Sequence, residues 1–309
     1  MNFLDAAETA RLLPYELTAD ALAAMLLRQS AGRAFAPVRQ SFELPGGAVL
    51  LLMPARDDER ACVKLVTVHP GNADRGLPVI HGEVVLMDAH DGHRILILDG
   101  PTVTARRTAA MSLLGAKRLA TAGSHATLMI GSGVQARHHL DAFAQNGLIR
   151  RLYVHSLSRS GSEALVTQAK RYGIDAKIVD DPSQVASEVG LIVTATTSSK
   201  PVLHGPVSPD CTIIALGAYR PGMAEIAPSL IETCDVYVDT LEGAREEAGD
   251  LLQANIDWSR VIPIEQVHER AERTGRPILF KTVGHALWDL AAATLAHESS
   301  QQLTPRKTP

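Results

Sequence analysis

Near the middle of the chain, Ala126-Thr-Leu-Met-Ile130 runs straight into Gly131-Ser-Gly133-Val-Gln-Ala136, and a helix-periodic stretch follows. Few patterns restrict a fold more. A short apolar run that stops at Gly-x-Gly-x-x-Ala reads as a buried strand turning tightly into a helix. The backbone N–H groups of that turn face a pyrophosphate at the helix N-terminus. Gly131 permits the turn, Gly133 permits close backbone approach, and Ala136 stands where helix packs on strand. Gly131, Ser132, Gly133, Val134, Gln135 and Ala136 are therefore the candidate dinucleotide cradle. A segment as long as a domain precedes this turn, and that segment is the expected substrate-holding part.

After the turn, β and α signals alternate. Strands are expected at 126–130, 152–156, 175–179, 190–195, 212–216 and 235–239, and helices at 134–146, 161–172, 182–188, 226–232 and 243–252. Such alternation implies a parallel sheet covered by helices. Before the turn the signals differ. Helix spacing begins at about Thr9, with a second start at Thr18, and strand candidates follow, separated by Pro45-Gly-Gly47, Pro70-Gly-Asn72, Asp91-Gly92 and Asp99-Gly100. From Thr102 the pattern is helical again, and a last helix is expected at about 286–297, followed by a disordered polar tail from Ser299 to Pro309. The fold class is α/β. A Rossmann-type doubly wound parallel sheet is expected over 119–285, and a β-rich α+β domain, the expected substrate-holding part, over 1–118 plus 286–309.

The bulk composition fits an ordinary cored protein: 46% of residues are hydrophobic and 21% charged. A net charge of -4 gives no reason to expect nucleic acid or an anionic membrane as a partner. The acidic N-terminus has no basic leader, and no apolar run reaches the roughly 20 residues that span a bilayer. Cys62, Cys211 and Cys234 match neither a disulfide framework nor a metal pattern, so no metal is expected. These points lead to a cytoplasmic enzyme as the expectation.

The strand after the cradle, Leu152-Tyr-Val-His-Ser156, ends without the carboxylate that would hold a ribose 2′-hydroxyl. Ser156, Ser158 and Arg159 stand there instead, and an arginine among hydroxyls suits a 2′-phosphate. NADPH is the expected cofactor, with NADH as the alternative. Thr194, Ala195 and Thr196 end the fourth strand, and Gly217 with Tyr219 follows the fifth. Both lie at the edge where such sheets bind ligands.

These segments, with Lys64-Leu-Val-Thr-Val-His-Pro-Gly-Asn72, Gly76-Leu-Pro78, Thr104-Ala-Arg-Arg-Thr-Ala-Ala110, Gly217-x-x-x-Pro-Gly222 with Glu225, and Phe280-Lys-Thr-Val-Gly284 with Asp289, resemble the ornithine cyclodeaminase/μ-crystallin family over about residues 35–297. The resemblance implies a homodimer built through the β-rich domain and an active site between the domains. It implies a substrate carrying an α-amino or α-imino carboxylate, held by Arg39, Lys64 and Arg107. It also places Thr282, Val283 and Gly284 beside substrate and nicotinamide.

One departure narrows the activity. Cyclodeaminases and the related alanine dehydrogenases of this family carry an Asp where this chain has Tyr219. A phenol with a pKa of about 10 does not replace that base near neutral pH. The resemblance then favours the ketimine reductases of the family, which lack the Asp. The expected reaction is reduction of a small cyclic imino acid, Δ1-pyrroline-2-carboxylate or Δ1-piperideine-2-carboxylate. Lys64, His81 or a water is the proton source, with Lys64, Arg107 and His81 as the catalytic set. The rivals are a cyclodeaminase, an alanine dehydrogenase, and a non-catalytic small-ligand binder of the μ-crystallin kind.

Overall fold

The computed structural model describes residues 2–121 and 126–303. The polar tail expected from Ser299 lies outside these beyond 303. Two compact units divide the chain, one of Met1–Ala110 with His285–Pro309 and the other of Met111–Gly284. The change of unit falls inside a helix, earlier than the expected 118.

The first unit is built on a six-stranded sheet. Its elements are β1 (Asn2–Leu4), α1 (Ala6–Leu12), α2 (Tyr15–Ser30), β2 (Gln40–Leu44), β3 (Ala48–Arg56), β4 (Arg60–Val68), β5 (Ile80–Asp88) and β6 (Arg94–Asp99). Helix α3 (Gly100–Leu119) leads out of it. The strand order is β1-β6-β5-β4-β3-β2, a meander of antiparallel neighbours with β1 added in parallel to β6. Helix α1 starts before the expected Thr9. Asp5 accepts a hydrogen bond from Glu8 N, and Glu8 accepts one from Asp5 N, a reciprocal cap that satisfies two helix-end donors.

Alternation along β4 decides what each face carries. Cys62, Lys64 and Val66 are buried, while Leu65 between them is 39% exposed. The buried face is covered by the last helix of the chain, which packs on β3, β4, β5 and β6 and against α1 and α2. On the outward face, Leu65 is joined by Phe42 and Phe3, both exposed.

The second unit is an eight-stranded, wholly parallel sheet. In chain order it comprises β7 (Ala126–Ile130), α4 (Val134–Gln145), β8 (Arg151–His155), α5 (Arg159–Arg171), β9 (Asp175–Ile178), β10 (Leu191–Thr194) and β11 (Thr212–Ala215). Then come α6 (Pro228–Ile231), β12 (Asp235–Val238), α7 (Leu241–Glu247), α8 (Gly249–Gln253), β13 (Val261–Pro263) and β14 (Ile278–Lys281). The order is β13-β12-β14-β11-β10-β7-β8-β9. Strands β10, β11 and β14 are buried at every residue, as a sheet covered on both sides requires. The chain runs outward from β7 through β8 to β9, then returns to β10 on the other side of β7. That reversal makes the carboxyl end of β7 a topological switch point, where sheets of this kind bind ligands. This is the doubly wound Rossmann-type architecture.

Helix α9 (Ala286–Leu303) ends the described chain in the first unit. The tail expected from Ser299 is helical as far as Leu303. Its polar residues continue a helix already anchored by the apolar stretch before it, and two of its residues are clearly exposed, Gln301 and Gln302.

Candidate functional site

At the switch point the cradle has the geometry its glycines anticipate. Gly131 follows β7 with φ +111°, and a Cβ there would stand 2.4 Å from the Ala195 carbonyl oxygen. Neither the backbone angle nor the space admits a side chain. Gly131 N donates to His155 O at 2.8 Å, and Ala195 N donates to Ile130 O at 2.8 Å, so the turn is tied to both flanking strands. Gly133 is the N-cap of α4 and supplies no side-chain cap. A Cβ built on it meets nothing within 4 Å. The first-turn N–H groups of α4 thus end at an open approach, and these residues fit a pyrophosphate.

Beside the cradle lies a chain of hydroxyls. Ser132 Oγ and Ser156 Oγ are 2.8 Å apart, and Ser156 Oγ accepts from Ser158 N. Ser158 caps α5 by accepting from Gly161 N. Arg159 is exposed and pairs with Glu163 at 3.0 Å. No carboxylate stands between the end of β8 and Arg159.

The ends of β10 and β11 meet a buried carboxylate, Glu225. Its Oε1 accepts from Thr196 N at 2.7 Å and Thr196 Oγ1 at 2.9 Å, and its Oε2 from Thr194 Oγ1 at 2.9 Å and Gly217 N at 2.6 Å. Burial pushes the Glu225 carboxyl upward; Lys281 opposes this and Asp250 adds to it. The loop after β14 is held similarly. Asp239 accepts from Thr282 Oγ1 at 2.7 Å and Gly284 N at 2.8 Å, with Val283 N at 3.3 Å and Thr240 N at 3.0 Å. Tyr219 is half-buried, packs against the apolar core of this unit, and lies under the Arg220 guanidinium.

In the first unit, three charged side chains converge under α9. Strand β4 aims Lys64 inward, α3 presents Arg107, and α9 presents Asp289. Lys64 Nζ lies 3.0 Å from Asp289 Oδ1 and 2.8 Å from Oδ2, and Arg107 Nε donates to Oδ1 at 3.2 Å. All three are buried, Asp289 completely. Burial lowers the Lys64 ammonium from 10.5 to about 8; Asp289 opposes that, while Arg107 and Arg39 reinforce it. Burial alone would raise Asp289, but Lys64 and Arg107 overcome it and hold the carboxyl below its usual range. Two cations thus face one carboxylate, with Arg39 within electrostatic reach, and the surplus positive charge suits an anion.

Lys64 and Arg107 are thereby brought to one place, with Arg39 near enough for its charge to act on Lys64, but His81 is not. Lys64 lies directly opposite Met53 and Val84, in an inward-facing row. His81 lies opposite Thr67, which faces Leu50 and then Phe42. Those residues have the other parity, so His81 points from the exposed face of the sheet. Sequence reasoning quoted Asp289 and Glu225 only as motif letters and missed their roles. A signal for Asp289 exists: it is the sole charge in Ala286-Leu-Trp-Asp-Leu-Ala-Ala-Ala293, and a charge on an otherwise apolar helix needs a buried partner.

A Rossmann-type sheet edge in one unit and a buried cationic cluster in the other are the features of a nucleotide-dependent α/β protein, and the surplus charge of the cluster fits a small anion. The comparisons with known proteins identify it further. The family model for the ornithine cyclodeaminase/mu-crystallin family matches residues 2–303, and the chain belongs to that family. It is 40% identical over 295 residues to Delta(1)-pyrroline-2-carboxylate reductase 2 of Burkholderia ambifaria, covering 96% of this chain and 94% of the relative. It is 38% identical, with the same coverage, to the Delta(1)-pyrroline-2-carboxylate/Delta(1)-piperideine-2-carboxylate reductase of Azospirillum brasilense. Among solved structures it resembles the Thermococcus litoralis Delta(1)-pyrroline-2-carboxylate reductase in complex with NADH and L-proline, with a TM-score of 0.91, 26% identity and 98% of each chain covered.

Proposed function

We propose that this chain is an NAD(P)H-dependent ketimine reductase, reducing Δ1-pyrroline-2-carboxylate to L-proline and Δ1-piperideine-2-carboxylate to L-pipecolate. The observation that carries the reading is the buried cluster of Lys64, Arg107 and Asp289, with more positive than negative charge. Arg107 and Arg39 take the substrate carboxylate, a pairing suited to the guanidinium fork. Lys64 stands beside that anchor with its ammonium near 8, so it is mostly protonated at neutral pH and gives its proton readily. Asp289 keeps Lys64 charged in a buried setting and fixes its direction. When bound in the cradle at Gly131–Ala136, the reduced dinucleotide supplies the hydride for the imine carbon. The balance is then complete: carbon gains a hydride, nitrogen gains a proton held at Lys64 Nζ, and the C=N bond becomes C–N. Thr282, Val283 and Gly284, held by Asp239, belong beside the reacting groups in this reading.

NADPH is the preferred cofactor. Ser156, Ser158 and Arg159 support this, because hydroxyls and a guanidinium follow β8 where a carboxylate would select NADH. The Arg159–Glu163 pair is exposed, and such pairs are weak enough to yield to a phosphate. The working form is a homodimer joined through the outward sheet face, along which Phe3, Leu65 and Phe42 are exposed from one edge strand to the other. Three buried, unpaired cysteines are in keeping with the cytoplasm.

The test is oxidation of NADPH and of NADH with each cyclic imine, beside pyruvate plus ammonia and beside ornithine. Turnover with the ring imines is expected. Turnover only with pyruvate and ammonia, or ammonia release from ornithine, overturns the reading.

A further inference from the structure

Under the carboxyl ends of β10 and β11 lie three charges that the proposed reaction does not use. Lys281 Nζ is 2.8 Å from Asp250 Oδ2, and both side chains are fully buried. Asp250 Oδ1 accepts from Glu225 N at 2.5 Å and Ile226 N at 2.9 Å. Glu225 in turn receives four donors, two of them the backbone N–H groups of Thr196 and Gly217. The fit is close: a Cβ on Gly217 would stand 2.4 Å from Glu225 Oε1 and 2.1 Å from the Thr196 carbonyl oxygen. Lys281 therefore holds Asp250, Asp250 holds the Glu225 backbone, and the Glu225 carboxylate spans the two strand-end loops.

Stability alone gives little reason for this arrangement, because a buried ion pair is often no better than apolar packing of the same volume. What the arrangement does is set the spacing between two loops. Those loops lie on the β10–β11 side of the switch point, away from β8 and β9. A dinucleotide lying across a doubly wound sheet places one nucleotide on each side of the switch. The adenosine half falls to the β7–β8 side, where the cradle and the serines are, and the nicotinamide half falls to β10 and β11.

We propose that Glu225, braced by Asp250 and Lys281, is a positioning residue for the nicotinamide half of the cofactor and leaves the adenosine half untouched. The inference rests on the dinucleotide reading above. The probes are NADPH, which spans both halves, and ADP, which carries only adenosine and pyrophosphate. Binding to purified protein is followed by fluorescence for NADPH and by calorimetry for ADP. Glu225→Gln keeps the shape but sets an amide NH2 against donors. It is expected to weaken NADPH about tenfold, as loss of a hydrogen bond to a charged group does, with ADP within twofold. Thr194→Val, which replaces one hydroxyl donor by a methyl group, shifts NADPH severalfold in the same direction and serves if Glu225→Gln does not fold. With saturating NADPH, the KM for the cyclic imine stays within twofold in both variants.

Equal weakening of NADPH and ADP makes the network general scaffolding and overturns the inference, as does unchanged NADPH affinity in Thr194→Val. Failure of the unaltered protein to bind NADPH is a different result, which removes the dinucleotide reading itself.

Discussion

The sharpest consequence of the first-unit cluster concerns Asp289→Asn. The substitution is nearly isosteric and removes the negative charge that Lys64 and Arg107 share. At 2.8 Å, with an effective dielectric of about 20, the lost attraction on the Lys64 ammonium is about 6 kcal/mol. At 1.36 kcal/mol per unit that is about four pKa units, an upper value because water and side chains relax around a changed charge. Half of it moves Lys64 from about 8 to about 6. The sign is clear: removing an anion disfavours the ammonium, so the proton is lost at lower pH. If Lys64 carries the proton for imine nitrogen, kcat/KM of the unaltered enzyme is flat below about 8 and falls above it. In Asp289→Asn the falling limb moves to about 6, and activity at pH 7.5 drops about 25-fold from protonation alone. The assay is kcat/KM for Δ1-pyrroline-2-carboxylate from pH 5.5 to 9.5 at saturating NADPH. Titration of the imine itself is common to both proteins and cancels in the comparison. A limb that stays near 8 in the variant shows that Asp289 does not set the proton affinity of Lys64, and the role given to Lys64 goes with it.

Three further outcomes follow from particular contacts. His139 is buried, with Nδ1 2.8 Å from Gln135 O and Nε2 2.8 Å from Ser112 Oγ, and burial lowers it from 6.5 to about 4. The unfolded chain takes up this proton first as pH falls, so stability drops below about 6.5, by about 2.5 kcal/mol between pH 7.5 and 4.5. Urea denaturation of His139→Gln should lack that increment; an unchanged pH dependence refutes it. Arg159→Ala should raise the KM for NADPH about tenfold with NADH within twofold, and equal effects on both remove its role with the 2′-phosphate. Leu65→Glu places a charge on the outward sheet face, where Leu65 is 39% exposed and a monomer would tolerate it. Sedimentation should show a monomer, and an intact dimer excludes that face as the interface.

Local requirements made much of the second unit readable in the sequence. Strands β7, β10 and β11 are short apolar runs stopped by turn residues, and a strand buried on both faces needs little else. Strand β1, at Asn2–Leu4, is too short to show a period and gains its place only by pairing with β6. The insertion of β14 between β11 and β12 is a long-range choice with no local trace. The site divides in the same manner. Gly131 announces itself, because its turn fails with any other residue. Asp289 shows only as a lone charge on an apolar helix, because the Lys64 that explains it is 225 residues away.

The buried carboxylates show why such residues resist reading. Asp289 is satisfied by counter-charge, from Lys64 and Arg107. Asp239 and Glu225 are satisfied by N–H and O–H donors of the chain itself, four apiece in each case. The same letters therefore do opposite work. A carboxylate held by cations orders side chains and tunes their protons, while one held by backbone N–H groups fixes a loop and leaves proton chemistry alone. The second kind does leave a trace: the fixed loop must come close, and close approach needs glycine. Gly217 beside Glu225 is such a glycine, and Gly284, whose N–H donates to Asp239, is glycine for its φ of +86°. An acid that meets a strand-end glycine across the sheet is thus a loop anchor, and one that meets a lysine under an apolar helix belongs to the chemistry.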